Sequence, residues 1–230
     1  FTQWTKCRWL VPGWLPLNEI SKMLKNLAIT AFPAQSPDRR SSSKWFESGV
    51  QGAVFSKLVN RASSGPFLEL GTWTGAGSTS FVAQTFKRMD IICVDTWAGS
   101  SEHRRIAAYN KIRVNLWEHF CSNMWQHRHR VYPLCMSTVE GMQAVLNSGI
   151  KPELIYIDAA HDEASVYADI SIALSLFPEA KICGDDYISP GKRGHNGVAN
   201  AIGKCIQEGL FTKQEFVHHQ RCWYLTRNIA

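Results

Sequence analysis

The chain has 230 residues, of which 45% are hydrophobic and 19% charged, and its formal net charge is +6. This composition is too apolar for a disordered protein, and the length suits one large domain or a domain with a short extension. No apolar run reaches the roughly 18 residues of a membrane-spanning helix, so we expect a soluble protein. The positive charge leaves an anionic partner open, from a nucleic acid to a phosphorylated metabolite.

The seven cysteines are widely spaced and none forms a Cys-x-x-Cys pair, so neither a zinc site nor a disulfide scaffold is expected. Three of them lie in apolar, strand-like segments, where a small buried thiol is the usual interpretation. A reducing compartment fits this usage best, and we therefore expect a cytoplasmic protein. The chain begins at Phe1, so a targeting signal could have been removed.

Residues 1–44 differ in composition from the rest of the chain. Tryptophan is interrupted by proline and glycine near the start, and a polar stretch rich in Ser, Pro and Arg follows at residues 34–43. A stretch of this kind is typical of a loop or linker. We predict an N-terminal extension or cap over residues 1–44 and a main domain over residues 45–230.

Helical and strand-like patterns alternate along the main domain. In chain order they predict helix Phe46–Asn60, strand Pro66–Leu70, helix Ser78–Lys87, strand Ile91–Trp97, helix Glu102–Trp125, strand Val131–Met136, helix Thr138–Asn147, strand Leu154–Ala159, helix Glu163–Leu176, strand Ala180–Gly184, helix Val198–Glu208 and a hairpin over Glu215–Thr226. Short apolar strands separated by helices indicate βαβ units. Such units build a parallel sheet with helices on both faces.

The most informative segment joins the first strand to a glycine turn, Phe67-Leu-Glu-Leu-Gly-Thr-Trp-Thr-Gly-Ala-Gly-Ser78. In α/β sheets a nucleotide-like ligand binds at such a turn, and glycines permit positive φ and close approach of the backbone. The spacing is neither that of the dinucleotide fingerprint nor that of a P-loop. Glu69, two residues before Gly71, can accept hydrogen bonds from a cationic amine or from backbone amides.

The run from Glu69 to Gly75 resembles motif I of the class I S-adenosylmethionine-dependent methyltransferases. A second strand supports this, because it ends in Asp95, about 24 residues after Gly71. In that family the acid at this place binds the two ribose hydroxyls of the cofactor, although an acid here can also be a turn or helix-capping residue. The resemblance implies a Rossmann-like sheet of seven strands in the order 3-2-1-4-5-7-6, with the last strand antiparallel.

The resemblance also implies S-adenosylmethionine as the cofactor. The residues that follow the third strand flank the adenine in this family, and Trp97 can cover the adenine or the ribose. The implied cofactor-binding residues are Glu69, Gly71, Thr72, Gly75, Ser78, Asp95, Thr96, Trp97, Met136, Ser137 and Asp158.

Two further strands end in acids. Asp158 follows one strand, and Asp185 and Asp186 follow the next. Neighbouring parallel strands end at the same edge of a sheet, so the three carboxylates can converge there, and they would repel one another unless a cation neutralised them. Oxygen ligands of this kind suit Mg²⁺, and less specifically Ca²⁺ or Mn²⁺. Helix caps and surface acids without a metal are the alternative.

This pattern resembles the metal-dependent O-methyltransferases of the catechol type and the cephalosporin-hydroxylase-like methyltransferases. By resemblance, Asp158, Asp185 and Asp186 would hold a divalent cation, which we expect to be Mg²⁺, with Asp186 in place of an Asn. The catechol type uses a nearby lysine as the base, which this chain lacks. His161 is the best substitute, because its pKa can lie near neutrality, so His161 and Asp158 are the predicted catalytic residues.

We therefore predict metal-assisted O-methylation of a small molecule, and the positive charge keeps an anionic acceptor open. A basic stretch over residues 103–130 and the loop with Lys192, Arg193 and His195 keep a nucleic-acid methyltransferase as the first alternative. The second alternative is a non-catalytic methyltransferase-like domain that binds partners. The sequence leaves the acceptor and the oligomeric state open.

Overall fold

The computed structural model describes residues 32–38, 45–99, 114–188 and 196–228. Seven strands form one sheet in the order β3-β2-β1-β4-β5-β7-β6. They are β1 Phe67–Leu70, β2 Ile91–Asp95, β3 Val131–Cys135, β4 Leu154–Ile157, β5 Lys181–Gly184, β6 Phe216–His219 and β7 Cys222–Leu225. Strands β1 to β5 are parallel, whereas β7 is antiparallel to β5 and β6. The predicted fold class and strand order are confirmed.

The described helices are α1 Gln51–Leu58, α2 Ser78–Thr85, α3 Leu116–Met124, α4 Thr138–Asn147, α5 Glu163–Leu176 and α6 Gly197–Gln207. Helix α1 begins five residues later than predicted, because a turn precedes it in which the Gln51 side chain accepts a hydrogen bond from the Glu47 backbone N–H (2.9 Å). The long helix predicted over Glu102–Trp125 is represented by α3 and a short 3₁₀ turn at Trp125–His127. Residues 102–113 of that prediction lie outside the described residues.

Alternate residues of the parallel strands enter two separate hydrophobic cores. Phe67 and Ile91 belong to the core that α1, α2 and α3 cover, whereas Leu68 and Ile92 belong to the core that α4, α5 and α6 cover. Side chains alternate between the faces of a strand, so a sheet covered on both faces buries consecutive residues, most of which are apolar. This explains why β1 and β4 are buried along their whole length.

Two glycines bring the carboxyl ends of the strands close together. Gly71 has φ +87°, and a Cβ there would lie 2.2 Å from the Asp158 carbonyl oxygen, so only glycine lets the turn after β1 pack on the end of β4. A Cβ at Gly184 would lie 2.5 Å from the Trp223 ring. The Trp223 indole N–H donates to the Asp185 carbonyl (3.2 Å), so β7 fixes the end of β5.

The described part of the predicted extension reaches the main core. Phe32 is 6% exposed, and its ring centroid lies 6.1 Å from that of Phe120 on α3. The rest of residues 1–44, apart from 33–38, lies outside the described residues, so the division at residue 44 stays a prediction. Among the described helices none combines the length and the apolar character that crossing a membrane requires.

Candidate active site

A cavity of about 810 Å³ lies along the carboxyl ends of the parallel strands. Its lining comes from the turns that follow β1 to β5, from the segment before α1 and from the β6–β7 turn. The described lining includes Trp45, Gln51, Gly71, Thr72, Trp73, Ser78, Asp95, Thr96, Met136, Ser137, Thr138, Tyr156, Asp158, Ala159, Ala160, His161, Ser165, Asp169, Asp185, Asp186 and Arg221. Eight of the eleven predicted cofactor-binding residues are in this lining, and Glu69, Gly75 and Trp97 are not among its described members.

Glu69 is fully buried beneath the glycine turn. Its carboxylate accepts hydrogen bonds from the hydroxyls of Ser78 and Thr79 (2.6 Å for Thr79). The sequence predicted an amine or backbone amides as donors, whereas the structure supplies two hydroxyls from the first turn of α2. Burial raises the pKa of Glu69 from its ordinary 4.5 to about 7, and the two hydroxyls oppose that rise. Glu69 therefore ties the start of α2 to β1.

Asp95 accepts hydrogen bonds from backbone amides of two different turns. The N–H groups of Thr72 and Trp73 donate to Oδ2 (3.0 and 2.8 Å), and that of Trp97 donates to Oδ1 (2.7 Å). Burial raises the pKa of Asp95, and these amides act in the opposite direction. The carboxylate thus joins the glycine turn to the end of β2. Two carboxylate oxygens offer about four acceptor positions, and these amides use three of them, so at most one position remains for a ligand hydroxyl.

Trp97 packs beneath the glycine turn, although the sequence placed it over the cofactor. Its indole N–H donates to the Trp73 carbonyl (3.0 Å), and its ring centroid lies 4.8 Å from those of Trp117 and Phe120. Both Trp73 and Trp97 have positive φ, 51° and 47°. Such a backbone is uncommon for bulky residues and persists only where packing enforces it. Trp97 thus contributes to the shape of the turn.

The end of β3 leads directly into a capped helix. Ser137 is the N-cap of α4 and forms a reciprocal capping box with Glu140. The next residue, Thr138, donates its hydroxyl to Asp169 Oδ1 on α5 (2.5 Å). Asp169 is 2% exposed and lines the cavity, and burial raises its pKa to about 6. Sequence analysis did not identify Asp169, because it lies in the middle of a helix far from any strand end.

Asp158, His161 and Asp186 converge on one point of the cavity. Each offers one ligand atom, and the three atoms all lie within 4.8 Å of one another. His161 Nε2 is 2.9 Å from Asp186 Oδ2. Burial raises the pKa of Asp158 well above its ordinary value, and the charges of Asp185 and Asp186 add to that rise. A proton or a cation bound here would therefore reduce the repulsion between these carboxylates.

Asp185, which the sequence predicted as a third metal ligand, lies beside that group but is not one of its three members. Gln51 Nε2 donates to its Oδ2 (2.5 Å), the Tyr156 hydroxyl donates to the same oxygen (3.3 Å), and Arg221 Nε lies 3.4 Å from Oδ1. Asp186 has φ +57°, a backbone conformation that turns adjacent side chains in different directions. The group of three ligand atoms consequently contains His161 in place of Asp185.

The described lining of the cavity is acidic. It contains the aspartates Asp95, Asp158, Asp169, Asp185 and Asp186, against Arg221 and His161 as the basic residues. The chain as a whole carries +6, so the basic residues lie mainly elsewhere. A cavity with this charge favours cationic ligands, such as a sulfonium group or a metal ion.

Strand order, a glycine turn and an acid that ends the second strand together define a class I S-adenosylmethionine-dependent methyltransferase. Residues 68–187, just over half of the chain, match a family model described as "Methyltransferase domain". The chain belongs to this methyltransferase family. No curated protein matches the sequence.

Two solved structures illustrate the similarity of fold. The apo structure of CalS11, a TDP-rhamnose 3′-O-methyltransferase of calicheamicin biosynthesis, has 16% identity and a TM-score of 0.51, covering 90% of this chain and 93% of its own. Aeropyrum pernix fibrillarin with natively bound S-adenosyl-L-methionine has 12% identity and a TM-score of 0.50, covering 84% of this chain and 85% of its own. At these identities the likeness concerns the fold alone.

Proposed function

We propose that the chain transfers the methyl group of S-adenosylmethionine to an oxygen atom of a small-molecule acceptor. One observation carries this proposal: the group of Asp158, His161 and Asp186 lies in the same cavity as the glycine turn and Asp95. Methyl transfer from a sulfonium is an in-line displacement, so the donor and the acceptor oxygen must be held close together and aligned. One continuous cavity can hold both.

The cofactor would occupy the part of the cavity lined by the turns after β1, β2 and β3. Asp95 would accept a ribose hydroxyl, while Met136 and Ser137 would flank the adenine. The acidic lining suits the positive charge of the sulfonium. Glu69, Gly75 and Trp97 would support this part of the site from beneath the turn.

The acceptor would bind beside Asp158, His161 and Asp186. His161 would take the proton of the acceptor hydroxyl, and Asp186, 2.9 Å from Nε2, would hold the ring and stabilise the imidazolium. Trp45 and Trp73, with ring centroids 5.9 Å apart, form an aromatic wall of the same cavity. Such a wall excludes water and offers a surface for a ring-shaped acceptor.

The same three residues fit a divalent cation, since two carboxylates and an imidazole can point at one ion. When bound, the cation would lower the pKa of the acceptor hydroxyl. The sequence predicted Mg²⁺, but an imidazole nitrogen among the ligands favours Mn²⁺ or Zn²⁺ over Mg²⁺. His161 as a metal ligand and His161 as the base are alternatives that experiment can separate.

The test begins with calorimetric binding of S-adenosylhomocysteine to the full chain. Turnover is then measured as S-adenosylhomocysteine release with phenols, catechols and sugars, each with Mg²⁺, Mn²⁺ or EDTA. We expect binding, and methylation of at least one hydroxyl compound. Absence of binding would overturn the proposal and favour the non-catalytic alternative, and turnover unchanged by EDTA would remove the metal from it.

A nucleic-acid acceptor is opposed by the charge of the site. Five aspartates among the described lining residues would repel a phosphate backbone that entered the cavity. A pool of short RNAs belongs in the same turnover assay. Methylated RNA without any methylated small molecule would favour the nucleic-acid alternative.

A further inference from the structure

Asp169 is a buried carboxylate that the reaction described above does not use. It lies on α5, is 2% exposed and lines the cavity. Its Oδ1 accepts the Thr138 hydroxyl, whereas Oδ2 makes no hydrogen bond within the described part of the chain. Because Asp169 lines the cavity, this second oxygen is available to accept a hydrogen bond from a ligand that supplies a donor.

The position of Asp169 identifies which part of a ligand would reach it. Its partner Thr138 directly follows Met136 and Ser137, which line the β3 end of the cavity. The group of Asp158, His161 and Asp186, where the acceptor is proposed to react, lies at the ends of β4 and β5. In the sheet order β5 is four strands from β3, roughly 19 Å at the usual strand spacing. Asp169 is therefore at the cofactor end of the cavity.

The neighbouring surface suits a flat base. Ala159 and Ala160, which have small side chains, line the cavity after β4, and Met136 lines it after β3. Ser165 lies one turn before Asp169 on the same helix and also lines the cavity. An adenine ring bound between these residues would present its exocyclic amine, which is a hydrogen-bond donor.

We propose that Asp169 accepts a hydrogen bond from the exocyclic amine of the adenine ring and so selects an adenine-containing cofactor. Thr138 acts as a positioning residue, because its hydroxyl fixes the other carboxylate oxygen. This inference rests on the proposed function, since it requires the adenosine of S-adenosylmethionine to occupy this end of the cavity.

The test compares two ligands by calorimetry: S-adenosylhomocysteine and S-inosylhomocysteine, in which a carbonyl oxygen replaces the amine. The wild type should bind the adenine form at least tenfold more tightly, because a hydrogen bond to a charged group is lost with the inosine form. Asp169→Ala should reduce this ratio to about one. Asp169→Asn can present a donor instead, and should lower the ratio as well.

Glu163→Gln is the matched control, since Glu163 is an exposed acid on the same helix, and it should keep the wild-type ratio. Thermal melting of each variant checks that it is folded. If the Asp169 variants fail to fold, the wild type is tested with a third ligand, S-adenosylhomocysteine whose exocyclic amine carries two methyl groups. This ligand cannot donate from the amine and should bind at least tenfold more weakly than S-adenosylhomocysteine.

The outcomes separate this inference from the proposed function. If the wild type binds both thioethers equally, or if Asp169→Ala keeps the wild-type ratio, the inference is overturned while the methyltransferase proposal stands. If the wild type binds neither compound, the proposed function fails and the inference fails with it.

Discussion

His161 Nε2 lies 2.9 Å from Asp186 Oδ2, and the two residues come from the ends of different strands. His161 follows β4 and Asp186 follows β5, which pair in parallel. The contact therefore depends on the register of these strands. It places an imidazole and a carboxylate side by side in a cavity that also contains the half-buried Asp158.

Replacing either partner of this pair should abolish most of the turnover. Asp186→Asn and His161→Gln are each expected to lower kcat about 100-fold or more, because a positioned base contributes that much. The Kd for S-adenosylhomocysteine should change by less than about threefold, because both substitutions lie at the acceptor end of the cavity. This corresponds to less than about 1 kcal/mol of binding free energy. Glu163→Gln serves as the control.

Titration with Mn²⁺ separates the two roles of His161. Loss of Mn²⁺ affinity in both variants indicates a metal ligand, whereas unchanged affinity with lost turnover indicates a base. Normal turnover in both variants would contradict any role for the pair.

Glu69 should make the unliganded protein less stable as the pH rises. Its pKa is raised in the folded state from 4.5 to about 7, so the folded protein binds the proton more tightly than the unfolded chain does. Its stabilising contribution is complete below about pH 4.5 and is lost as the pH rises towards 7. Glu69→Gln removes this titration.

Urea unfolding of the wild type and Glu69→Gln at several values from pH 5 to 8 measures the effect. The free energy of unfolding of the variant relative to the wild type should rise with pH, by at most about 3 kcal/mol across this range. Other buried acids titrate in both proteins and cancel in the difference. A difference that is independent of pH would contradict the prediction.

Gly71→Ala should be severely destabilising. The substitution forces a Cβ to within 2.2 Å of the Asp158 carbonyl at a φ of +87°, and neither backbone can move without disturbing the strand ends. We expect a loss of about 3 kcal/mol or more, or failure to fold. Gly203→Ala is the matched control, since a Cβ there meets nothing within 4 Å.

In the control, helix propensity should raise the stability by up to about 1 kcal/mol. Thermal melting of both variants measures the contrast. Equal melting temperatures would show that the turn after β1 does not pack on β4 as described.

Removing Arg221 should destabilise the fold through Asp185. Arg221→Met leaves the Asp185 carboxylate, which is 5% exposed, without its cation. We expect the free energy of unfolding to fall by about 2–3 kcal/mol. The loss should be smaller than for a fully buried pair, because the Arg221 side chain is 33% exposed. Adding Asp185→Asn should restore part of this stability. A double-mutant cycle by urea unfolding gives the coupling energy.

The more exposed pair of Lys181 and Glu153, 3.8 Å apart, is the comparison. Lys181→Met should cost less than about 1 kcal/mol. A coupling between Arg221 and Asp185 close to zero would mean that Gln51 and Tyr156 alone satisfy the carboxylate.

The architecture was predictable because hydrophobic patterning acts locally. Alternation of apolar segments and helices is enough to indicate a parallel sheet, and the motif I resemblance supplied the strand order. The acids at the strand ends were also recognisable, since Asp95, Asp158 and Asp186 lie at or just after the ends of apolar runs. All three line the cavity.

The orientation of individual side chains was not predictable. Asp185 and Asp186 are adjacent in sequence, and both pair with Arg221 from the distant β6–β7 turn (3.4 and 3.8 Å), whereas the contact with His161 is made by Asp186. No local pattern specifies a contact across 36 residues. Trp97 likewise depends on an aromatic cluster with α3, and Asp169 on a contact between two helices.

Arg221 also donates to the Trp45 carbonyl, and so connects the segment before α1 with the β6–β7 turn beside Asp185. Gln51 makes the same connection from α1, by binding both the Trp45 carbonyl and Asp185. All three residues lie outside the stretch 68–187 that defines the family. A fragment cut to that stretch would retain the acids but lose the groups that neutralise and orient them. The functional unit is therefore longer than the family domain at both ends.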